Sequence, residues 1–171
     1  MTFKLMLSNF ARGPLTEAAP AADDGALAEL AAQVNQAARA RLGRTLSIRE
    51  VDAGSCNGCE LEIHALNNVL YDLERFGLRF VASPRHADVL LVTGPVTVNM
   101  REALERTYQA TPDPKWVVAV GDCARNGGVF AGSAACVGGV GSVVPVDLHI
   151  PGCPPSPVAL LRGLLALLQI A

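Results

Sequence analysis

Three times along this chain a short apolar run ends in a glycine turn and gives way to a helical pattern. Leu46 to Val51 leads into Gly54-Ser55-Cys56-Asn57-Gly58-Cys59-Glu60. Asp88 to Thr93 leads into Gly94-Pro95-Val96-Thr97, and Trp116 to Val120 into Gly121-Asp122-Cys123. Strands alternating with helices need crossover connections, and these build a doubly wound parallel sheet. Half of the 171 residues are hydrophobic and few are aromatic, which suits strands covered on both faces. Ligands on such sheets bind outside the carboxyl ends of the strands. Cys56, Cys59 and Cys123 fall at such ends, so they can converge.

Read in order, residues 1–12 place Phe3, Met6, Leu7 and Phe10 on one helical face, a candidate docking arm or a loose terminus. Residues 14–24 read as a linker. Asp24 is placed to cap a peripheral helix over about 26–41, with Leu27, Leu30, Val34 and Ala38 as its stripe and Gly43 as its stop. Strand one follows over about 46–52. A helix over about 60–75 should turn Leu61, Leu66, Val69, Leu70 and Leu73 inward. Strands are expected over about 78–82, 88–93 and 116–120, with a helix over 98–109 between the last two. Thr97 and Asn99 are placed to cap that helix. Residues 124–142 lack periodicity, and a short strand is expected over 143–148. Ser156 and Pro157 open a last helix to about Gln169, apolar nearly all round. The reading divides the chain into an N-terminal arm and peripheral helix, 1–45, and one α/β domain, 46–171.

The net charge of −2 gives no basic surface for nucleic acid. Five cysteines, without the regular spacing of a disulfide framework, are expected in the reducing cytoplasm, where metal binding is the commoner use. No apolar run reaches membrane-spanning length. No Walker motif and no Gly-x-Gly-x-x-Gly occurs, so nucleotide and flavin binding lack support.

Cys56 and Cys59 form a close pair, while Cys123 and Cys153 stand alone in Gly-Asp-Cys and Pro-Gly-Cys-Pro-Pro. Four thiolates on turns can hold zinc or an iron–sulfur cluster. Structural zinc usually takes two close pairs. Glycine beside each ligand admits a bulky cubane and N–H donors to sulfur, so the pattern favours [4Fe–4S]. A dithiol redox pair at Cys56 and Cys59, activated by the helix start, leaves Cys123 and Cys153 without a role. Cys136, in Ala-Ala-Cys-Val-Gly, reads as a buried inert thiol. Glu60 and Glu62 read either as ordinary helix-start charges or as proton-handling carboxylates beside a redox centre. His64, His86 and His149 have no ligand-like spacing to the cysteines and read as hydrogen-bonded or surface side chains.

These motifs resemble a known family. Gly-Ser-Cys-Asn-Gly-Cys-Glu (54–60), Ser-Pro-Arg-His-Ala-Asp (83–88), Thr-Gly-Pro-Val-Thr (93–97) and Val-Gly-Asp-Cys-Ala (120–124) carry the first part of the likeness. Asn-Gly-Gly-Val-Phe (126–130), Val-Pro-Val-Asp (144–147) and Ile-Pro-Gly-Cys-Pro-Pro-Ser-Pro (150–157) complete it. Together they look like the small subunit of nickel–iron hydrogenases and the homologous B subunit (20 kDa family) of respiratory complex I. The Cys-x-x-Cys pair is as in hydrogenases, where the complex I subunit has adjacent cysteines. The chain is also read as short and as lacking the export signal and cysteine-rich C-terminal region expected of periplasmic hydrogenases. It most resembles the small subunit of membrane-bound, energy-converting (group 4) hydrogenases of the formate hydrogenlyase type.

The resemblance implies a flavodoxin-like fold and one proximal [4Fe–4S] cluster on Cys56, Cys59, Cys123 and Cys153. It implies as partners a large subunit with the nickel–iron site, a ferredoxin-like subunit and membrane proton-translocating subunits. The expected location is the cytoplasmic side of the membrane. It also maps the family's acidic residue to Glu62, with Glu60 competing, and puts Arg85 in a loop near the cluster. A complex I-like quinone oxidoreductase and a nickel-free hydrogenase relative are the nearest alternatives. A zinc-stabilised α/β binding module is the alternative of another class.

Overall fold

The computed structural model describes residues 24–170; the amphipathic arm and nearly all of the linker expected before them lie outside the described residues. The chain begins with α1 (Asp24–Leu42), β1 (Ser47–Asp52), α2 (Gly58–Ala65), β2 (Arg79–Phe80) and β3 (Val89–Thr93). It continues through β4 (Val96–Thr97), α3 (Val98–Ala110), β5 (Trp116–Val120) and α4 (Gly121–Asn126). It ends with β6 (Cys136–Gly138), β7 (Leu148–Ile150) and α5 (Pro157–Ile170). Among the described residues no helix is long and apolar enough to cross a membrane.

Five strands form one parallel sheet in the order β2-β1-β3-β5-β7. This is the flavodoxin-like doubly wound order, whose reversal of direction lies between β1 and β3. Every residue of β3 and β5 is buried. Their side chains alternate between two cores. Val89, Leu91, Val118 and Val120 pack with α1, α2 and α5. Leu90, Val92, Val117 and Ala119 pack with Leu104 of α3 and Ala124 of α4. Each fully buried Leu or Val contributes about 2 kcal/mol on leaving water.

Register fixes what the sheet presents at its edge. Asp52 lies opposite Thr93, Thr93 opposite Val120, and Val120 opposite Ile150. Four strands therefore end in one row, and the loops beginning at residues 53, 94, 121 and 151 all leave from it. At the other edge, Asp88 is 1% exposed and joins the starts of β1 and β3. Its carboxylate accepts hydrogen bonds from Arg44 Nη1 (2.8 Å) and Nη2 (2.5 Å) and from the Ser47 N–H (2.9 Å). Asp88→Ala should lower stability by about 2 kcal/mol in urea unfolding, because it orphans the buried Ser47 N–H; the largely exposed Arg44 rehydrates.

Several elements differ from the sequence-based expectation. The helix expected over 60–75 stops at Ala65. The Asn68 side chain accepts from the N–H groups of Leu70 (2.8 Å) and Tyr71 (3.0 Å), a local turn that competes with helix. Leu66 and Leu73 are buried as expected, but Val69 and Leu70 are 96% and 79% exposed and Leu61 is exposed too. β7 begins at Leu148 rather than 143. Pro145 has no N–H for a ladder, and Asp147 instead brackets Val117, giving its N–H to Val117 O (2.9 Å) and accepting the Val117 N–H on its carboxylate (2.7 Å). Residues 124–142 are partly ordered into β6, which pairs antiparallel with β4. α1 is not peripheral: Ala31, Val34 and Ala38 are fully buried in the core that α5 completes with Leu160, Leu161 and Leu164. That packing accounts for the apolar character of α5.

Candidate metal centre

The loop after β1 is held by its own side chains. Asp52 Oδ1 accepts from the N–H groups of Gly54 and Ser55, both at 2.7 Å, and Ser55 Oγ accepts from the Asn57 N–H at 3.0 Å. Asn57 then takes a left-handed conformation (φ 69°) that swings the chain into α2. Cys56 thus sits before the helix and Cys59 within its first turn. The loop after β3 backs this turn. Thr97 donates from N–H (2.8 Å) and Oγ1 (3.2 Å) to Ala53 O. Thr97 occupies the start of α3 as expected, but its hydroxyl braces the cysteine loop instead of capping the helix. Asn99 lies inside α3. Gly94 (φ +71°) passes so close that a Cβ there would lie 2.5 Å from Ser55 N.

The two solitary cysteines arrive on the next loops of the row. Cys123 is in α4, straight after β5. Cys153 follows β7. The loops are tied together: Asp122 N–H donates to Gly152 O (2.9 Å), and Gly152 N–H donates to Asp122 Oδ1 (3.2 Å). His149 Nε2 contacts Gly121 O at 3.1 Å.

Cys56, Cys59, Cys123 and Cys153 line one cavity with Gly58 and Gly94. Its volume is about 70 Å³, several times the roughly 15 Å³ that admits one water-sized sphere. Cys59 and Cys123 are half-buried, and Cys56 and Cys153 are exposed. Among the described residues, no group of three or more His, Cys, Asp or Glu is already arranged to hold a metal ion as the side chains stand. Structural zinc needs four donors at about 2.3 Å or less from one ion. A four-thiolate iron–sulfur cluster distributes its ligands around a larger body.

The surroundings of Cys59 and Cys123 favour the neutral thiol. Burial first, then Glu60 and the other three cysteines, push the Cys59 thiol up to about 12. Burial also raises Cys123, against a hydrogen bond from the Val129 backbone that lowers it. This corrects the expectation that the helix start would favour thiolate here: desolvation and like charge outweigh the dipole. Without metal, Cys59 keeps its proton and points it at Val120 O, 3.8 Å away. A bound cation reverses that balance and deprotonates the thiol. The donor set therefore fits a cationic metal body.

Other candidates separate. Glu60 is 6% exposed, and neither of its oxygens has a hydrogen-bond partner among the described residues. Glu62 is half-exposed. Cys136 lies in β6 outside the cavity lining and is half-buried, not fully buried as its apolar neighbours led us to expect, because the two-stranded β4–β6 pair covers only part of it. Arg85, His86 and His64 are exposed and away from that lining. Sequence reasoning missed Asp52 and Asp122 as loop braces. Asp-x-Gly-Ser is a recognisable side-chain turn; the tie between Asp122 and Gly152 spans 30 positions and has no local signal.

Fold and site together define a flavodoxin-like α/β protein with a four-cysteine centre at the carboxyl edge of its sheet. Residues 56–167 match the family described as NADH ubiquinone oxidoreductase, 20 kDa subunit. The chain belongs to that family. It is 49% identical over 123 residues to formate hydrogenlyase subunit 7 of Escherichia coli, covering 72% of this chain and 48% of that protein. It thus spans about half the length of that relative. It is 48% identical over 128 residues to "Probable membrane-bound hydrogenase subunit mbhJ" of Pyrococcus furiosus, covering 75% and 77% of the two. Among solved structures, a chain of the membrane-bound sulfane sulfur reductase, an archaeal respiratory membrane complex, superposes with a TM-score of 0.66 at 35% identity, covering 81% of this chain and 75% of that one.

Proposed function

We propose that this chain is the electron-transfer small subunit of a membrane-bound, energy-converting nickel–iron hydrogenase, with Cys56, Cys59, Cys123 and Cys153 holding one [4Fe–4S] cluster. The observation that carries the reading is the single cavity lined by all four cysteines at the ends of three aligned strands. Such a cluster, when bound, takes up and returns one electron at a time. The chain's own residues set where it sits, how dry it is and which N–H groups face its sulfurs.

The reading includes a large subunit with the nickel–iron site, a ferredoxin-like electron donor or acceptor, and membrane proton-translocating subunits, on the cytoplasmic side. The exposed Cys56 and Cys153 and the exposed Val129, in a groove beside Cys123, support a covering partner. Of the two carboxylates read as a proton relay, Glu60, next to Cys59 in sequence, is buried and Glu62 is half-exposed. A second reading, a relative whose complex reduces something other than protons and whose large subunit lacks nickel, takes its reaction from the likeness to a chain of a sulfane sulfur reductase.

Metal analysis of the complex purified without oxygen tests these readings. We expect iron and acid-labile sulfide with this chain, nickel with its partner, and hydrogen uptake or evolution. Zinc without iron overturns the electron-transfer reading. Iron and sulfide without nickel or hydrogen activity selects the nickel-free relative.

A further inference from the structure

The β5–β7 ladder ends at Val120 and Ile150. Beyond it the two loops with solitary cysteines need another tie, or Cys123 and Cys153 would sample separate positions. Asp122 supplies that tie from both its backbone and its side chain. It grips the same residue at both polar groups, giving its N–H to Gly152 O at 2.9 Å and taking the Gly152 N–H on Oδ1 at 3.2 Å. With both groups fixed, the Gly152 peptide has one orientation, and Cys153 follows it directly. Gly152 has φ +137°, a conformation that few other residues would hold unaided. The Asp122 side chain is exposed, so core packing does not explain it. It lines both the cysteine cavity and the adjoining groove.

We propose that Asp122 is a positioning residue that latches the Cys123 loop to the Cys153 loop and sets a fixed negative charge at the edge of the metal centre. The inference rests on the cluster reading above. The side-chain arm of the latch is a hydrogen bond of ordinary length to a carboxylate oxygen, and the backbone arm is the shorter of the two. The carboxylate's charge favours the oxidised centre, because an arriving electron adds negative charge beside it. One residue thereby does two separable things, and substitutions can divide them.

The full chain is prepared within its complex as wild type, Asp122→Asn and Asp122→Ala. Iron and sulfide content, the electron paramagnetic resonance of the reduced centre and its midpoint potential are measured. Amide exchange at Gly152 is followed in the metal-free full chain. Asp122→Asn keeps an acceptor oxygen but loses the charge: it should retain iron and move the potential upward. Asp122→Ala loses both: Gly152 exchange should rise about tenfold and iron release to a chelator should quicken by a similar factor.

Unchanged Gly152 exchange and iron retention in Asp122→Ala overturns the latch, as does an Asp122→Asn chain that releases iron as fast as Asp122→Ala. An unchanged potential in Asp122→Asn overturns the role of the charge. A wild-type chain with no iron or sulfide, but with Gly152 protected in an Asp122-dependent way, overturns the cluster reading and leaves the latch standing.

Discussion

Replacing Cys123 by Ser is expected to strip the centre of its iron while leaving the fold in place. The serine hydroxyl has nearly the size of the thiol but gives up its proton far less readily, so it makes a poor ligand. Cys123 lies in the first turn of α4, half-buried, and Ala124 beside it is fully buried in the core. The replacement therefore removes a donor without opening a cavity. Residues that only support ligands already contribute about 10- to 100-fold to metal affinity, so losing a ligand should reduce electron-transfer activity by more than about 100-fold. Iron content, sulfide content and the resonance of the reduced centre check this. Urea unfolding of the metal-free chain should be nearly unchanged. Cys136→Ser is the matched control, since Cys136 is in β6 and outside the cavity lining. Iron loss from Cys136→Ser, or full retention in Cys123→Ser, would show the ligand assignment to be wrong.

What could be read in the sequence follows physical range. Residues 89–92 and 116–120 are apolar throughout because both faces of a central parallel strand are covered, and the pattern is visible in four or five residues. The cysteines were found the same way, each beside a glycine at a strand end. The failures all involve a competing interaction. Val69 and Leu70 fit a helical stripe, yet the Asn68 side chain turned the backbone there and left both exposed. The dipole of α2 argues for a Cys59 thiolate, but burial, then the Glu60 carboxylate and the other cysteines, act in the opposite direction. Glu60 and Cys56 are in the same short motif, but the burial that comes first is made by elements far off in sequence, so no local window contains the deciding cause. α1 looked peripheral because its partner surface, α5, lies at the other end of the chain.

Gly121→Ala should be nearly as damaging to the centre as losing a ligand, for a reason that can be isolated. Gly121 has φ +85°, and a Cβ there would lie 2.8 Å from Cys59 Sγ and 3.2 Å from Gly152 O. Neither neighbour can retreat easily: Cys59 is set by the first turn of α2, and Gly152 is tied to Asp122. The added methyl therefore bears on two of the three cysteine loops at once. Left-handed backbone at a non-glycine residue costs about 1–2 kcal/mol by itself. Gly132→Ala measures that part alone, because Gly132 has nearly the same φ, +84°, with nothing within 4 Å of the added methyl. Both variants should lose about 1–2 kcal/mol in urea unfolding from the backbone alone, with any further loss in Gly121→Ala coming from the clash. Only Gly121→Ala should lose iron, with metal retention down about 10- to 100-fold. Equal iron content in the two would mean that the close approach at Gly121 is incidental. Iron loss confined to Gly121→Ala would mean that the sheet edge needs a bare backbone there to let the Cys59 sulfur reach the cavity.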